Sequence, residues 1–583
     1  MKKLLNKYIV AFVCILAVTS CYDGIDPITA VDPGEDQGAP IVNIIRPVNG
    51  FEIQVADPIT STPIEFEAED DIELISVVVE LDGMQIASYT SFTDYRIFAD
   101  EFVYNNVTTG DHVLSVIATD IAGNITTAIS NFSKEPPYTP LFTGETFYMN
   151  FEGSFTELVT VTDATEVGSP TITSQAKIGT GAYAGATDSY LTFPTSGLLD
   201  NNEFSASFWM NVNGTPDRAG VLVIGPPDDV NPTAQNNRTK GFRFFRENAG
   251  GMQRFKLNVG NGTADSWFDG GAAADVAPNT GEWNHFAFTI SGGQCTVYIN
   301  GQVVSQGAFA GVDWSDCDVL SIMSGAPRFT GWNHNSDLSH MDELRLFNVA
   351  LTQADITKQI ALASQKFHMN FNGVYTDRVS GEDVTEVGSP GFSGENFDGG
   401  SGDSYAGATD SYLSFPTDGL LESNEFSASF WMNINATPDR AGILVIGPPD
   451  TTNPTAQNNR TKGFRFFREN AGGMQRFKLN VGNGTADSWF DGGAAADVAP
   501  DTGNWDHFAF TISGTQCTVY INGNVVSQGA FTGVDWTDCD VLSIMSGAPR
   551  FTGWNHNSDL SYMDDLRLFD KALTQAEVQS LSN

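Results

Sequence analysis

Residues Asn231–Pro278 recur unchanged at Asn453–Pro500, 48 residues long and loops included. The copy reaches further. EFSASFWMN starts at Glu203 and again at Glu425, and DCDVLSIMSGAPRFTGWNHNSDLS at Asp316 and Asp538, always 222 residues apart. The C-terminal two thirds must therefore fold as two copies of one unit. Two tethered copies of a site raise avidity through effective concentration, so the duplication suggests paired binding more readily than paired catalysis.

At the other end, Lys2, Lys3 and Lys7 precede the apolar run Tyr8–Val18. It is too short to span a bilayer stably and reads as a signal peptide over residues 1–20. The run ends Val18-Thr19-Ser20-Cys21, which resembles a bacterial lipobox. That resemblance implies cleavage before Cys21 and acylation of its sulfur, giving an outer-membrane, surface-exposed, lipid-anchored protein. Residues 21–40 are polar and acidic, with Pro27, Pro33 and Pro40, and form a flexible tether. Net charge is −42, from 71 acidic and 29 basic residues. Such a surface repels nucleic acid and anionic lipid heads and tolerates calcium or neutral ligands.

Beyond Cys14 and Cys21, four cysteines remain: Cys295 and Cys317 in the first copy, Cys517 and Cys539 in the second. In an exported chain this pattern predicts one disulfide per repeat, worth roughly 3 kcal/mol in the chain-entropy description.

Residues 41–134 carry short alternating runs (IVNII, IEFEA, ISVVVELDG, HVLSVIATD) divided by turn signals, which predict a small β-sandwich. Its ending GDHVLSVIATDIAGN resembles the last hairpin of bacterial immunoglobulin-like modules. Residues 135–142 form a Pro-rich linker, and residues 143–364 and 365–583 are the two repeats. The repeats hold all ten tryptophans and read as strands throughout. The capping boxes Thr352-Gln353-Ala354-Asp355 and Thr574-Gln575-Ala576-Glu577 predict one closing helix each.

SASFWMN, WNHFAFTI, CTVYING and MDELRLFNVALT resemble, in order, strands of a laminin-G-like, concanavalin A-type jelly roll. The resemblance implies an all-β fold: a small immunoglobulin-like sandwich followed by two tandem jelly rolls. That fold hosts lectins, adhesins, carbohydrate-binding modules and enzyme accessory domains. The whole arrangement resembles surface lipoproteins that capture polysaccharide and pass it to a glycan-uptake complex.

Two constellations could recognise a ligand. Arg238, Lys240, Arg243, Arg246, Arg254 and Lys256 crowd together against Glu247 alone, and Arg460 to Lys478 repeat the set. Alternation in GFRFF and QRFKLNV puts Arg243, Phe245, Arg254, Lys256 and Asn258 on one face of a hairpin, as it does Arg465, Arg476 and Lys478. An exposed face of this kind would favour an anionic over a neutral polysaccharide.

The second constellation is loop tryptophans. Trp209 and Trp283 sit in apolar strands and read as core, whereas Trp267 lies in GTADSWFDGG and Trp332 in FTGWNHNSDLS. Trp332 with His334, Asn335 and Asp337, and Trp267 with Asp265 and Asp269, pair a flat aromatic face with hydrogen-bonding groups, as sugar recognition requires. Trp489, Asp491, Trp554, His556 and Asn557 repeat the arrangement. The competing reading is a loop pinned by tucking its tryptophan onto the sandwich.

Asp342 and Asp564 start the last strand on its inward side, where a carboxylate needs backbone amides or a cation to offset desolvation. Many laminin-G-like domains place calcium near this region, so both aspartates are candidate calcium ligands. Glu157 standing where the second copy has Asp377 argues against a shared site.

Signals for catalysis are poor. Glu69-Asp70-Asp71-Ile72-Glu73 matches a glycosidase pattern formally, yet it lies in the small N-terminal module and reads as an acidic turn. The sequence thus predicts a non-catalytic polysaccharide binder. The alternatives are an adhesin for protein or cell-surface partners and, less favoured, a hydrolase or lyase accessory protein.

Overall fold

A computed structural model describes residues 38–53, 59–134, 138–199, 201–400 and 402–582. The signal run, Cys21, most of the tether and residues 135–137 of the linker lie outside these. The chain divides into two compact units, Met1–Thr139 and Pro140–Asn583. No helix among the described residues is long and apolar enough to cross a membrane.

The first unit is a sandwich of a three-stranded and a five-stranded sheet. Strand Leu74–Leu81 alternates from Val77 onward, so Val77, Val79 and Leu81 meet Ile64, Phe66, Leu114 and Val116 in one core. Within the acidic run, Asp70 accepts the N–H groups of Ile72 and Glu73 at 2.8 and 2.7 Å. It is a self-capped turn.

Each repeat in the second unit is a sandwich of two eight-stranded sheets. In repeat 1 the front sheet runs through Tyr190–Pro194, Val319–Ile322, Arg218–Ile224, Phe242–Ala249, Met252–Gly260 and Asp265–Asp269. The back sheet centres on His340–Phe347, Phe204–Asn211, Trp283–Ile290 and Gln294–Ile299. Inward residues of both sheets interdigitate. Phe208 stacks on Phe286 at 5.8 Å and Phe255 lies 4.2 Å from Phe286, among Phe204, Phe242, Phe244 and Phe288. Burying each such ring contributes about 1.5–3 kcal/mol, which makes this aromatic layer the main stabilising element of the lobe. Leu344 and Leu346 face the same core.

Helix α1 (Gln353–Leu362) follows the last strand of repeat 1 and α2 (Gln575–Leu581) that of repeat 2, each opened by its capping box. Ile356 and Ile360 of α1 pack on Ala287, Tyr298 and Phe347, which project from the outer side of the first back sheet. Ala361 and Leu362 pack on Ala509, Tyr520 and Phe569 of the second back sheet, together with Val578 and Leu581 of α2. The helices are thus the layer between the lobes. Because both back sheets face inward across it, the outer sides of the two front sheets look away from each other.

The expected disulfides do not form. Cys295, Cys317, Cys517 and Cys539 are free, buried thiols. Cys295 belongs to a back-sheet strand, while Cys317 sits in the turn leading into the front-sheet strand Val319–Ile322. Both lie in the one core cluster, where desolvation pushes each thiol up to about 12.

Candidate functional site

The hairpin Phe242–Ala249/Met252–Gly260 pairs Phe244 with Leu257 and Glu247 with Arg254, in the register that alternation predicts. Alternation names the side a residue projects to, but not what packs there. The loop 325–339 folds back over the outer side of the front sheet and changes the character of that face.

Its seating is tight. A Cβ on Gly220 would lie 2.1 Å from Gly325 N, and one on Gly325 would lie 2.0 Å from His334 O. Only glycine permits this approach of backbone to backbone. Phe329 then buries against Val223 and Phe245. His334 stacks on Phe329 at 4.6 Å and 15°, with Phe245 edge-on at 4.6 Å. Its Nε2 lies 3.2 Å from Glu247 Oε1. His334, Phe245 and Asp337 are therefore interior groups rather than ligand contacts, and the same holds for His556 in the second repeat. The expectation for the histidines is corrected: desolvation pushes both imidazoles down and leaves them neutral. Glu247 is held down to about 2, chiefly by its contact with His334.

The cationic face is corrected as well. Arg243 is fully buried and donates to the backbone carbonyls of Lys240, Arg238 and Asn237. Arg254 holds Asp275 through Nε at 2.7 Å and Nη2 at 2.9 Å. Lys256 bridges Glu247 at 3.0 Å and Asp269 at 3.1 Å. Asn258 is buried with its amide on Asp265. Arg465, Arg476, Lys478 and Asn480 repeat these arrangements. Arg254 and Lys256 are matched by carboxylates and Arg243 is buried on backbone carbonyls, so none of the three offers a free cation to a ligand.

What remains exposed is aromatic. Trp267 and Trp332 are 42% and 36% accessible and stack on each other at 5.8 Å and 19°. The loop is pinned by Phe329 and His334, which leaves Trp332 free to stand on the surface. Arg238, itself paired with Asp265 at 3.0 Å, lies 4.4 Å from the Trp332 ring centre and 5.6 Å from that of Trp267. Arg218 donates to the Trp332 carbonyl at 3.2 Å. Asn335 and Asp269 stay exposed nearby. The second copy reproduces the platform, with Trp489 and Trp554 at 5.8 Å and 20° and Arg460 at 4.5 Å from Trp554. Sequence reasoning missed Arg218 and Phe329. Phe329, three residues before Trp332 in a glycine- and proline-bounded loop, was the available signal.

Trp209 and Trp283 take neither role cleanly. Trp209 is buried on the outer side of the back sheet, edge-on to His285 at 5.1 Å, and Trp283 is half-buried.

The residues at Asp342 do not fit a calcium ion. Its Oδ2 accepts the N–H groups of Lys177 and Ile178 at 2.8 and 3.0 Å, and its Oδ1 accepts that of Glu343 at 2.9 Å. Asp564 is held in the same way by Phe397 and Asp565. Three backbone donors at Asp342 and two at Asp564 occupy lone pairs that a cation would need. Among the described residues no group of three or more His, Cys, Asp or Glu converges on a metal position. Backbone amides offset part of the desolvation here.

The profile of the laminin G type of the concanavalin A-like lectin/glucanases superfamily matches residues 185–357 and 407–579, more than half of the chain. The chain belongs to this superfamily. Its two tandem lectin-type domains support a carbohydrate- or ligand-binding role. No curated protein matches the sequence. Among solved structures, domain 4 of AbnA, an extracellular arabinanase from Geobacillus stearothermophilus in complex with arabinotriose, is 21% identical. It covers 38% of this chain and 98% of its own, with a TM-score of 0.29. The mouse laminin α1 domains LG4-5 are 11% identical, covering 66% and 88%, with a TM-score of 0.21. A pentraxin from Limulus polyphemus is 16% identical over 30% and 75%, with a TM-score of 0.22.

Proposed function

We propose that this superfamily member is a non-catalytic, lipid-anchored surface protein that binds polysaccharide on the stacked pairs Trp267/Trp332 and Trp489/Trp554. The observation that carries the reading is the exposure of two parallel indoles per repeat on a rigid sheet. Such a surface offers the apolar C–H side of a sugar ring a flat partner, with Arg238 beside Trp332 and the exposed Asn335 and Asp269 within three residues of Trp332 and Trp267 in the chain. The internal pairing of Arg254 and Lys256 turns the reading from an anionic toward a neutral polysaccharide. The lipobox and acidic tether support delivery to the cell surface, and such a protein would serve a glycan-uptake complex.

The test is a panel of neutral and acidic polysaccharides against the mature chain and its Trp332→Ala/Trp554→Ala variant. Binding of a glycan by the parent, lost more than tenfold in the variant, supports the assignment. Retained binding in the variant overturns the site, and a protein ligand indifferent to free oligosaccharide would make the chain an adhesin.

A further inference from the structure

A cavity of about 390 Å³ opens between the two lobes beside α1. Repeat 1 contributes Trp209, His285 and Lys358 to its wall, and repeat 2 contributes His368, Arg378 and Arg567. It is composite, and the second copy cannot repeat it: Ser580 and Leu581 stand where α1 has Lys358 and Gln359.

Its charge sets it apart. Among the described residues of the two repeats, nearly every lysine and arginine sits in an ion pair. Arg243 and Arg465 are the buried exceptions, satisfied by backbone carbonyls. Only Lys177, Lys358 and Arg378 lack any such partner. Lys358 and Arg378 line this cavity, and the Lys177 ammonium lies 4.7 Å from the centre of the Trp209 ring on its wall. Asp570 and Asp342 act on Lys177, and Asp565 and Asp355 on Lys358, only from beyond ion-pair contact, and in a chain of net charge −42 three cations without a contact pair at one place still attract an anion.

Other groups on the wall complete it. Glu343, a carboxylate on the wall, already accepts from Tyr148 Oη at 2.8 Å and Arg345 Nη2 at 3.0 Å. Arg567 holds Asp565 and Gln365. Gln359 and His285 meet each other on the wall, and Gln359 Oε1 also accepts from Ser207 Oγ. Burial depresses the Lys358 and Lys177 ammonium groups, a cost that an anion beside them would offset. Phe142, Ile178 and Leu362 give the cavity an apolar side.

We propose that this cavity binds a small molecule bearing a carboxylate, sulfate or phosphate, its oxyanion on Lys358 and Arg378 and its body against the apolar wall. The site is separate from the indole platforms. It also lies where a ligand would touch both repeats and stiffen their junction.

The experiment is calorimetry on the mature chain with glucuronate, glucose 6-phosphate, inorganic sulfate and glucose. At least one oxyanion should bind at millimolar concentration or below while glucose does not. Lys358→Met and Arg378→Gln should each weaken it about tenfold, Lys358→Arg should restore it, and Trp332→Ala/Trp554→Ala should leave it unchanged. Failure of all three oxyanions to bind, or binding indifferent to Lys358→Met in a variant with the parent's melting temperature, overturns the proposal. A Lys358→Met chain that melts early is judged by Arg378→Gln, which is exposed, and unweakened binding there overturns it equally.

Discussion

The Arg246 guanidinium grips Asp337 along two bonds, Nε to Oδ2 at 2.6 Å and Nη2 to Oδ1 at 3.0 Å, and water reaches neither side chain. The pair ties the end of the loop that carries Trp332 to the hairpin beneath it. Arg246 Nη1 also donates to the Pro216 carbonyl and to Gln253 Oε1, so the charge is fully solvated by the fold.

Removing one partner leaves the other charge buried and alone. Arg246→Met should therefore cost about 3–5 kcal/mol in a urea titration of the chain. Arg246→Met/Asp337→Leu should recover much of the loss. Equal instability of the single and double variants would show that the pair does not act as a unit.

Because the front sheets face away from each other, one chain presents its platforms in opposite directions. If they bind glycan, the mature protein should cross-link long polysaccharide and raise turbidity at low ratios of protein to glycan. Trp332→Ala or Trp554→Ala alone should abolish the turbidity while preserving binding with lower avidity. Turbidity that survives either single variant would show that cross-linking does not require both platforms.

Desolvation pushes the Asp342 and Asp564 carboxyls up to about 7. A folded pKa above the unfolded value of about 4 means the folded state holds its proton longer. The contribution to stability is thus largest below pH ~4, falls as pH rises from about 4 to about 7, and is level above. Six histidines, four buried and two half-buried, are all pushed down and act oppositely in the same range, since the folded state takes up their protons less readily. The informative quantity is the difference in melting temperature between the parent and Asp342→Asn/Asp564→Asn. That difference should change steadily from pH 4 to 7 and then stop changing, and a constant difference would remove the aspartates from the pH dependence.

Cys295, Cys317, Cys517 and Cys539 should react with a thiol reagent only on unfolding, because each is buried and its thiolate disfavoured by desolvation. Denatured protein prepared without reductant should expose all four. Two or fewer reactive thiols from these positions would restore the disulfides.

Much of the architecture was legible. Period-two alternation located the strands and the hairpin register, and the two capping boxes located α1 and α2, because these signals are local. Trp267 and Trp332 were also legible as surface residues from their glycine- and asparagine-rich surroundings. Arg243 and His334 were not legible as interior residues. Arg243 lies on the predicted side of its strand, but the carbonyls that bury it come from the preceding loop. His334 lies in the loop 325–339 itself, and the hairpin it packs on, through Phe245 and Glu247, is distant in sequence.

By itself the sequence determined that one sandwich unit occurs twice, with two surface tryptophans in each copy, since burial periodicity and turn chemistry are properties of neighbouring residues; that the two indoles stack, with Trp267 in the strand Asp265–Asp269 and not in a loop, came from the structure. Only the tertiary structure decided which cations are consumed by carboxylates, which way the two platforms face and that α1 leaves a cationic cavity between the lobes. Those outcomes depend on distant segments meeting in three dimensions, where charge is matched and water excluded by whatever happens to pack alongside.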